Sequence, residues 1–284
     1  PMEDWLRFDW RAGWGTERFE EQVANGQISA NFPAVWSDTD DRYDAREIID
    51  DNLKKLQVKK LSRQQVLENG SHVDGPYFDT QLQRSQDLKF HYIMTNKNSG
   101  HNLPSGSLGA QPQIWANVVL IGPRGQRLWE SGYTDSWGDV CDIHSADVRN
   151  KRIPYDWQLF NLQTMFLITG AKGTDREFPL PVNVDFDQLP YLRPGAQPTP
   201  LINHPPFIRM EGRSLAPLGS RKIPYRVPAK LMCEPGHYRL SFRLRSRAEP
   251  IYFMRFCKST NEMNRAMNEW MADFHQSSVE FIVK

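Results

Sequence analysis

The sequence has few cysteines, and none is placed to attach a cofactor. Its 284 residues contain three, Cys141, Cys233 and Cys257, which are too few for a disulfide framework and match no usual zinc spacing. The C-x-x-C-H motif is absent, so no c-type haem is attached covalently to this chain. At most one internal disulfide can form. We favour Cys233 with Cys257, because both flank late predicted strands, and a set of reduced, buried thiols stays open.

Long hydrophobic runs and an excess of one charge are also missing. The longest apolar stretches, such as WANVVLIG at 115–122, are far shorter than the roughly 20 residues that cross a bilayer, so we expect no membrane span. Lysine and arginine total 35 against 34 acidic residues, which gives no net attraction to nucleic acid.

Recognisable catalytic motifs are absent as well. The sequence has no G-x-S-x-G, no H-E-x-x-H and no glycine-rich phosphate loop. We therefore expect a globular, non-catalytic protein. Paired carboxylates such as Asp185 and Asp187 leave glycoside hydrolysis as a remaining alternative.

The first 80 residues differ from the rest and are predicted to form an appendage. Residues 1–40 are rich in aromatic side chains without clear periodicity: Trp5, Phe8, Trp10, Trp14, Phe19, Phe32 and Trp36. This aromatic arm either folds back on its own domain or docks on a partner, and we expect it to lie outside the main core. The segment DRYDAREIIDDNLKKLQ (41–57) places apolar residues on one face and predicts a helix.

From residue 81 the pattern changes to strands. LKFHYIM (88–94) alternates, QIWANVVLI (113–121) and RLWESGY (127–133) flank a GPRGQ turn, and HYRLSFRLRSR (237–247) and SVEFIV (278–283) have a period of two. NEMNRAMNEWMADF (261–274) predicts a helix with Met263, Met267, Trp270, Met271 and Phe274 on one face, and the proline-rich stretch 180–207 predicts extended chain. We predict a mainly β fold: an antiparallel β-sandwich over 81–284, with a helical or extended N-terminal appendage (1–80) and one helix near the C-terminus.

Three sets of side chains are candidates for binding. His101, in NKNSGHNLPSG (96–106), lies between Gly100 and Pro104 at a strand end, where it is either presented outward as a ligand or pins its own loop. WGDVCDIHSAD (137–147) offers Cys141 and His144, which make half a zinc site or belong to a hydrogen-bonded surface loop. The arginine face of the 237–247 strand either binds acidic groups or is solvated, and consists of Arg239, Arg243, Arg245 and Arg247.

Four segments, in this order, resemble a known domain. They are GHNLPSG (100–106) with the hairpin after it, NLQTMFLITGAKGTDRE (161–177), LPYLRP (189–194), and YRLSFRLRSR (238–247) with PIYFMRF (250–256). Residues 85–284 thus resemble the C-terminal, non-haem β-domain of periplasmic multihaem c-type cytochromes, in which a G-H-x-x-P-[ST]-G bend precedes a hairpin. In that family a region rich in C-x-x-C-H sites comes first, whereas the 80 residues before this region contain no cysteine.

The resemblance implies a haem-less accessory or structural subunit, periplasmic or at the cell surface, with a multihaem c-type cytochrome as its partner. On this expectation His101 ligates haem c of the partner chain in trans, and Arg239, Arg243 and Arg245 bind its propionates. Two alternatives stay open: a stand-alone β-sandwich ligand-binding module, and a metalloenzyme that uses the 139–147 loop. Candidate metal ligands are His101, Cys141 and His144.

Overall fold

The computed structural model describes residues 4–5, 7–105, 112–168, 178–179, 208–256 and 259–284. Its α-helices are α1 (Glu17–Ala24), α2 (Thr39–Gly70), α3 (Ala146–Arg149), α4 (Ile251–Phe256) and α5 (Asn261–Glu269). Its strands are β1 (Ser71–Phe78), β2 (Leu88–Asn96), β3 (Gln113–Ile121), β4 (Arg127–Ser131), β5 (Asn161–Ile168), β6 (Phe178–Pro179), β7 (Ile208–Arg213), β8 (Ser220–Val227), β9 (Gly236–Arg247) and β10 (Ala272–Val283). The predicted extended stretch 180–207, with Asp185 and Asp187, lies outside the described residues.

The chain divides into two compact units. The first is Pro1–Arg63 with Thr260–Met263, and the second is Gln64–Ser259 with Asn264–Lys284. The division falls inside α2, whereas the sequence placed it after residue 80. The reason for the difference is β1, which the sequence assigned to the appendage and which pairs with β2 in the sandwich.

The aromatic arm builds a small core within the first unit. Rings of the arm pack edge to face, as in the pairs Phe8–Trp14 and Phe8–Trp36, with centroids 5.7 and 5.0 Å apart. A buried ion pair joins Glu20 of α1 to Arg42 of α2, and the same guanidinium lies 3.8 Å above the Phe32 ring. The arm therefore folds on the start of α2.

The second unit is a sandwich of two antiparallel sheets, which confirms the predicted fold class. The smaller sheet has the order β1-β2-β8. The larger sheet has the order β10-β9-β3-β5-β6, with β4 also paired to β3 and β7 to β5. Alternate residues of facing strands fill the space between the sheets, as the period of two predicts. The fully buried ones include Leu88, Phe90, Tyr92 and Met94 from β2, Ile114, Ala116, Val118 and Leu120 from β3, and Tyr238, Leu240, Phe242 and Leu244 from β9.

The predicted hairpin is confirmed as β3 and β4. Its turn is closed by hydrogen bonds from the Gly125 N–H to the Gly122 carbonyl and from the Gly122 N–H to the Gln126 carbonyl, each 2.9 Å. Gly125 has φ +77°, a conformation that glycine adopts without strain.

The helix predicted over 261–274 is shorter than expected. α5 ends at Glu269, and Phe274 lies in β10 with its ring fully buried in the sandwich core. The apolar residues after Met267 fit a helical and an alternating pattern equally well, and pairing with β9 decides for the strand.

None of the helices in the described ranges combines the length and the apolar character needed to cross a membrane.

Candidate functional site

The loop that presents His101 is held by a buried asparagine. Asn96, the last residue of β2, is 0% exposed, and its Nδ2 donates to the carbonyls of His101 (2.8 Å), Leu215 (3.2 Å) and Ala216 (3.1 Å). Leu103 and Leu215 also exchange two backbone hydrogen bonds, of 2.9 and 2.8 Å. The backbone of the bend is thus anchored on both sides of His101, whose side chain is exposed.

A second asparagine completes this support. Asn98 donates from its backbone N–H and from Nδ2 to Asn96 Oδ1, both at 3.0 Å, and its Nδ2 also reaches the Gly70 carbonyl at 3.3 Å. The sequence drew attention to the glycines and Pro104 of NKNSGHNLPSG (96–106), and neither asparagine was recognised as a support. Gly106 lies outside the described residues. Both asparagines hold the backbone of the bend, and these contacts do not involve the imidazole of His101.

Two of the three arginines expected to bind propionates are engaged within their own sheet. Arg243 Nη1 and Arg245 Nε lie 2.8 and 2.9 Å from the two oxygens of Asp273, which faces Arg245 across the β9–β10 pair. Arg243 Nε also donates to Asn117 Oδ1 at 2.9 Å. Arg239 is exposed. One carboxylate therefore offsets part of the positive charge of this face.

An open cleft of about 420 Å³ lies beside Arg243 on the same face of the larger sheet. Its lining includes Asn117, Ser241, and the Gln276–Ser278 segment at the β10 bulge. These side chains supply amide and hydroxyl donors next to a guanidinium, a combination that suits a carboxylate.

Arg247 is not solvated, although a solvated face was one of the two interpretations that the sequence left open for the arginine face. It is 1% exposed, donates to Gln113 Oε1 at 2.9 Å and to Asn268 Oδ1 at 3.1 Å, and lies 4.8 Å above the Trp115 ring. Burial lowers the pKa of its guanidinium to about 10, so it stays charged at neutral pH. The reason is that other segments cover the outer face of the sheet here: Arg247 Nη1 donates to the Gly138 carbonyl, and Asn268 belongs to α5.

The 139–147 loop is hydrogen-bonded, as expected, but its polar side chains are buried rather than at the surface. Asp139 is 0% exposed, accepts a 2.8 Å hydrogen bond from the Tyr252 N–H and forms an ion pair with Arg255. Burial raises the pKa of its carboxyl, although Arg255 and Arg247 oppose the shift. Asp139 thus ties the loop to α4.

His144 and Cys141 are buried parts of the same loop. The His144 ring stacks on Tyr252 with centroids 4.0 Å apart, its Nδ1 lies 3.0 Å from Asp142 Oδ1, and its Nε2 has no hydrogen-bond partner among the described residues. Within the same ranges, no group of three or more His, Cys, Asp or Glu side chains is arranged to hold a metal ion.

The cysteines differ in their surroundings. Cys141 is a buried free thiol, and burial together with nearby carboxylates raises its pKa to about 12. Cys233 is an exposed free thiol whose Sγ lies 3.1 Å from the Lys230 carbonyl oxygen. Cys257, its expected disulfide partner, lies outside the described residues. The alternative of wholly buried thiols does not hold for Cys233.

Comparison with protein-family models, with curated protein sequences and with solved structures gives no match to this chain. The resemblance to a cytochrome β-domain therefore rests on the sequence segments alone.

Proposed function

We propose that this chain is a haem-less accessory subunit of a multihaem c-type cytochrome complex, located in the periplasm or on the cell surface. Two things support the proposal: the resemblance of residues 85–284, and the way the sandwich presents His101. The second is the observation that carries it.

His101 combines an exposed imidazole with an anchored backbone. Neutral histidine is a common axial ligand of haem iron. A ligand on a flexible loop loses ordering entropy when it binds, and the hydrogen bonds of Asn96 and Asn98 reduce that cost before any partner arrives. In the proposed complex, His101 binds the iron of a haem on the partner chain.

The arginine face has a secondary role in this proposal. Arg239 is exposed, and Arg243 lines an open cleft while it contacts Asp273, so the proposal assigns the haem propionates to these two. Arg245 is half-buried against Asp273 and contributes to the field of the face more than to a direct contact.

The proposal is tested by isolating the native complex through a tag on this chain and recording its visible spectrum. We expect Soret absorption to co-purify. His101→Ala should leave the sandwich folded, because an exposed bend residue contributes little packing. It should also convert one haem from low spin to high spin, because that haem loses an axial ligand. His237→Ala, at an exposed histidine of β9, is the matched control and should leave every haem unchanged.

The other outcomes separate the alternatives. If every haem keeps both ligands in His101→Ala, ligation in trans is wrong while the subunit assignment survives. A colourless chain without a cytochrome partner would contradict the subunit assignment and favour a binding module. Stoichiometric zinc, copper or iron without haem would revive the metalloenzyme.

A further inference from the structure

A second cleft, which does not include His101, is lined by aromatic side chains. It has a volume of about 420 Å³, within the range of small-molecule sites, and lies between β4 and residues 154–158. Four aromatic residues contribute to its lining: Trp129, Tyr133, Tyr155 and Trp157. We call it the aromatic cleft.

Trp157 is the most unusual residue of the aromatic cleft. Its side chain is 85% exposed, and the Tyr155 ring lies beside it with centroids 4.3 Å apart and planes tilted by 43°. An indole left almost wholly in water adds nothing to the core, and aromatic rings that line an open cleft commonly mark a binding surface.

The backbone beneath these rings is fixed. The buried Asp156 carboxylate accepts hydrogen bonds from the Ser131 hydroxyl (2.9 Å), the Gly132 N–H (2.6 Å) and the Gln158 N–H (3.1 Å). Burial raises the pKa of Asp156, although these donors favour its charged form. The Tyr133 hydroxyl donates to the Pro154 carbonyl at 2.9 Å. The aromatic cleft is therefore held in shape before a ligand arrives, which favours binding.

Charged side chains of both signs complete the lining. Arg127 Nη1 lies 2.6 Å from Glu130 Oε2, and both residues line the cleft. Glu130 Oε1 accepts a further hydrogen bond of 2.8 Å from Asn117 Nδ2. The pair supplies donors and acceptors side by side with no net charge.

We propose that the aromatic cleft binds a neutral saccharide chain. A sugar ring has an apolar C–H face that stacks on an indole, and its hydroxyl groups act as donor and acceptor at once. Those hydroxyls match the Arg127 donors and the Glu130 acceptors together. This inference does not depend on the proposed role of His101.

Other ligand classes fit the lining less well. The Arg127–Glu130 pair offers a quaternary ammonium ion no net attraction, and the Asp156 carboxylate opposes an anion. A proline-rich peptide in the polyproline II conformation also docks on aromatic grooves, but it presents carbonyl acceptors and lacks proline N–H donors. Such a peptide uses only the donors of the lining, whereas a saccharide hydroxyl uses donors and acceptors.

The test is calorimetric titration of the full chain with cellohexaose, maltohexaose and hexa-N-acetylchitohexaose, each up to about 1 mM. We expect at least one to bind. Trp157→Ala should weaken that binding by about tenfold or more, because it removes the exposed stacking surface. Trp137→Ala is the matched control, since Trp137 is 50% exposed and is not part of the cleft lining, and it should leave the affinity unchanged.

The proposal is overturned if none of the three oligosaccharides binds, or if both tryptophan variants bind as the parent does. Binding of a decaproline peptide in their place would also overturn it and would assign the cleft to protein recognition. Because no haem enters the measurement, failure here leaves the accessory-subunit proposal untouched.

Discussion

Replacing Asn96 by alanine should weaken the sandwich and loosen the bend that carries His101. The substitution removes the Nδ2 group, whose two hydrogens are shared among the carbonyls of His101, Leu215 and Ala216. It also removes Oδ1, which accepts twice from Asn98. Asn96 is fully buried, so solvent cannot replace these partners without opening the bend.

The expected cost follows from which partners are left unsatisfied. The Leu215 and Ala216 carbonyls keep other donors, the N–H groups of Leu103 and Gly219, whereas the His101 carbonyl loses its hydrogen bond from Asn96. Nδ2 carries two hydrogens, which the three carbonyls share. At about 1 kcal/mol for each N–H, Asn96→Ala should lower the free energy of unfolding by about 2 kcal/mol.

Urea denaturation followed by circular dichroism measures this loss. We expect a lower midpoint with an unchanged slope. Asn98→Ala is a graded control, since Asn98 is only half-buried and should cost about 1 kcal/mol. If Asn96→Ala lowers the free energy of unfolding no more than Asn98→Ala does, Asn96 does not hold the bend. His101 would then not be ordered before it binds a partner.

Local sequence patterns were sufficient to predict the central strands of the sandwich. Alternation identified β2 and β9 because one face of each is buried and the other is not. The hairpin of β3 and β4 followed from the Pro123 and Gly125 turn. These features depend on residues close together in the chain, so a single sequence shows them.

β1 and the end of α2 were missed for local reasons. Gly75 and Pro76 interrupt β1, and the pairing register shifts between Asp74 and Tyr77, so no clear alternation remains. The later turns of α2 expose Val58 and Val66, and without an apolar stripe the helix shows no period to detect.

The buried polar residues beneath the 139–147 loop could not be predicted, because their partners are distant in sequence. Arg247 donates to Gln113, which lies 134 residues earlier in the chain. Gln163 contacts the hydroxyl of Tyr252, which lies 89 residues later. An alternating strand predicts that Arg247 faces away from the core. Only the fold shows that a second layer covers that face.

Two further perturbations test each unit separately. In the first unit, burial alone raises the pKa of Glu20, but the hydrogen bonds from Arg42 and a backbone N–H outweigh it and hold the pKa below its ordinary 4.5. The stability that this carboxylate contributes should be present above about pH 4.5 and be lost as the pH falls through the folded pKa. Glu20→Gln should weaken this pH dependence. Acid titration followed by tryptophan fluorescence measures it. In the second unit, thiol labelling of a Cys257→Ser variant should modify Cys233 in the folded state and Cys141 only after denaturation in urea. Cys233 is exposed, whereas Cys141 is 0% exposed and its pKa is raised to about 12, so it is neither accessible nor ionised at pH 8. Mass spectrometry after labelling counts the modified thiols. Modification of both in the folded protein would mean that the 139–147 loop opens, and that the contacts of Asp139 with Arg255 and α4 do not hold it closed.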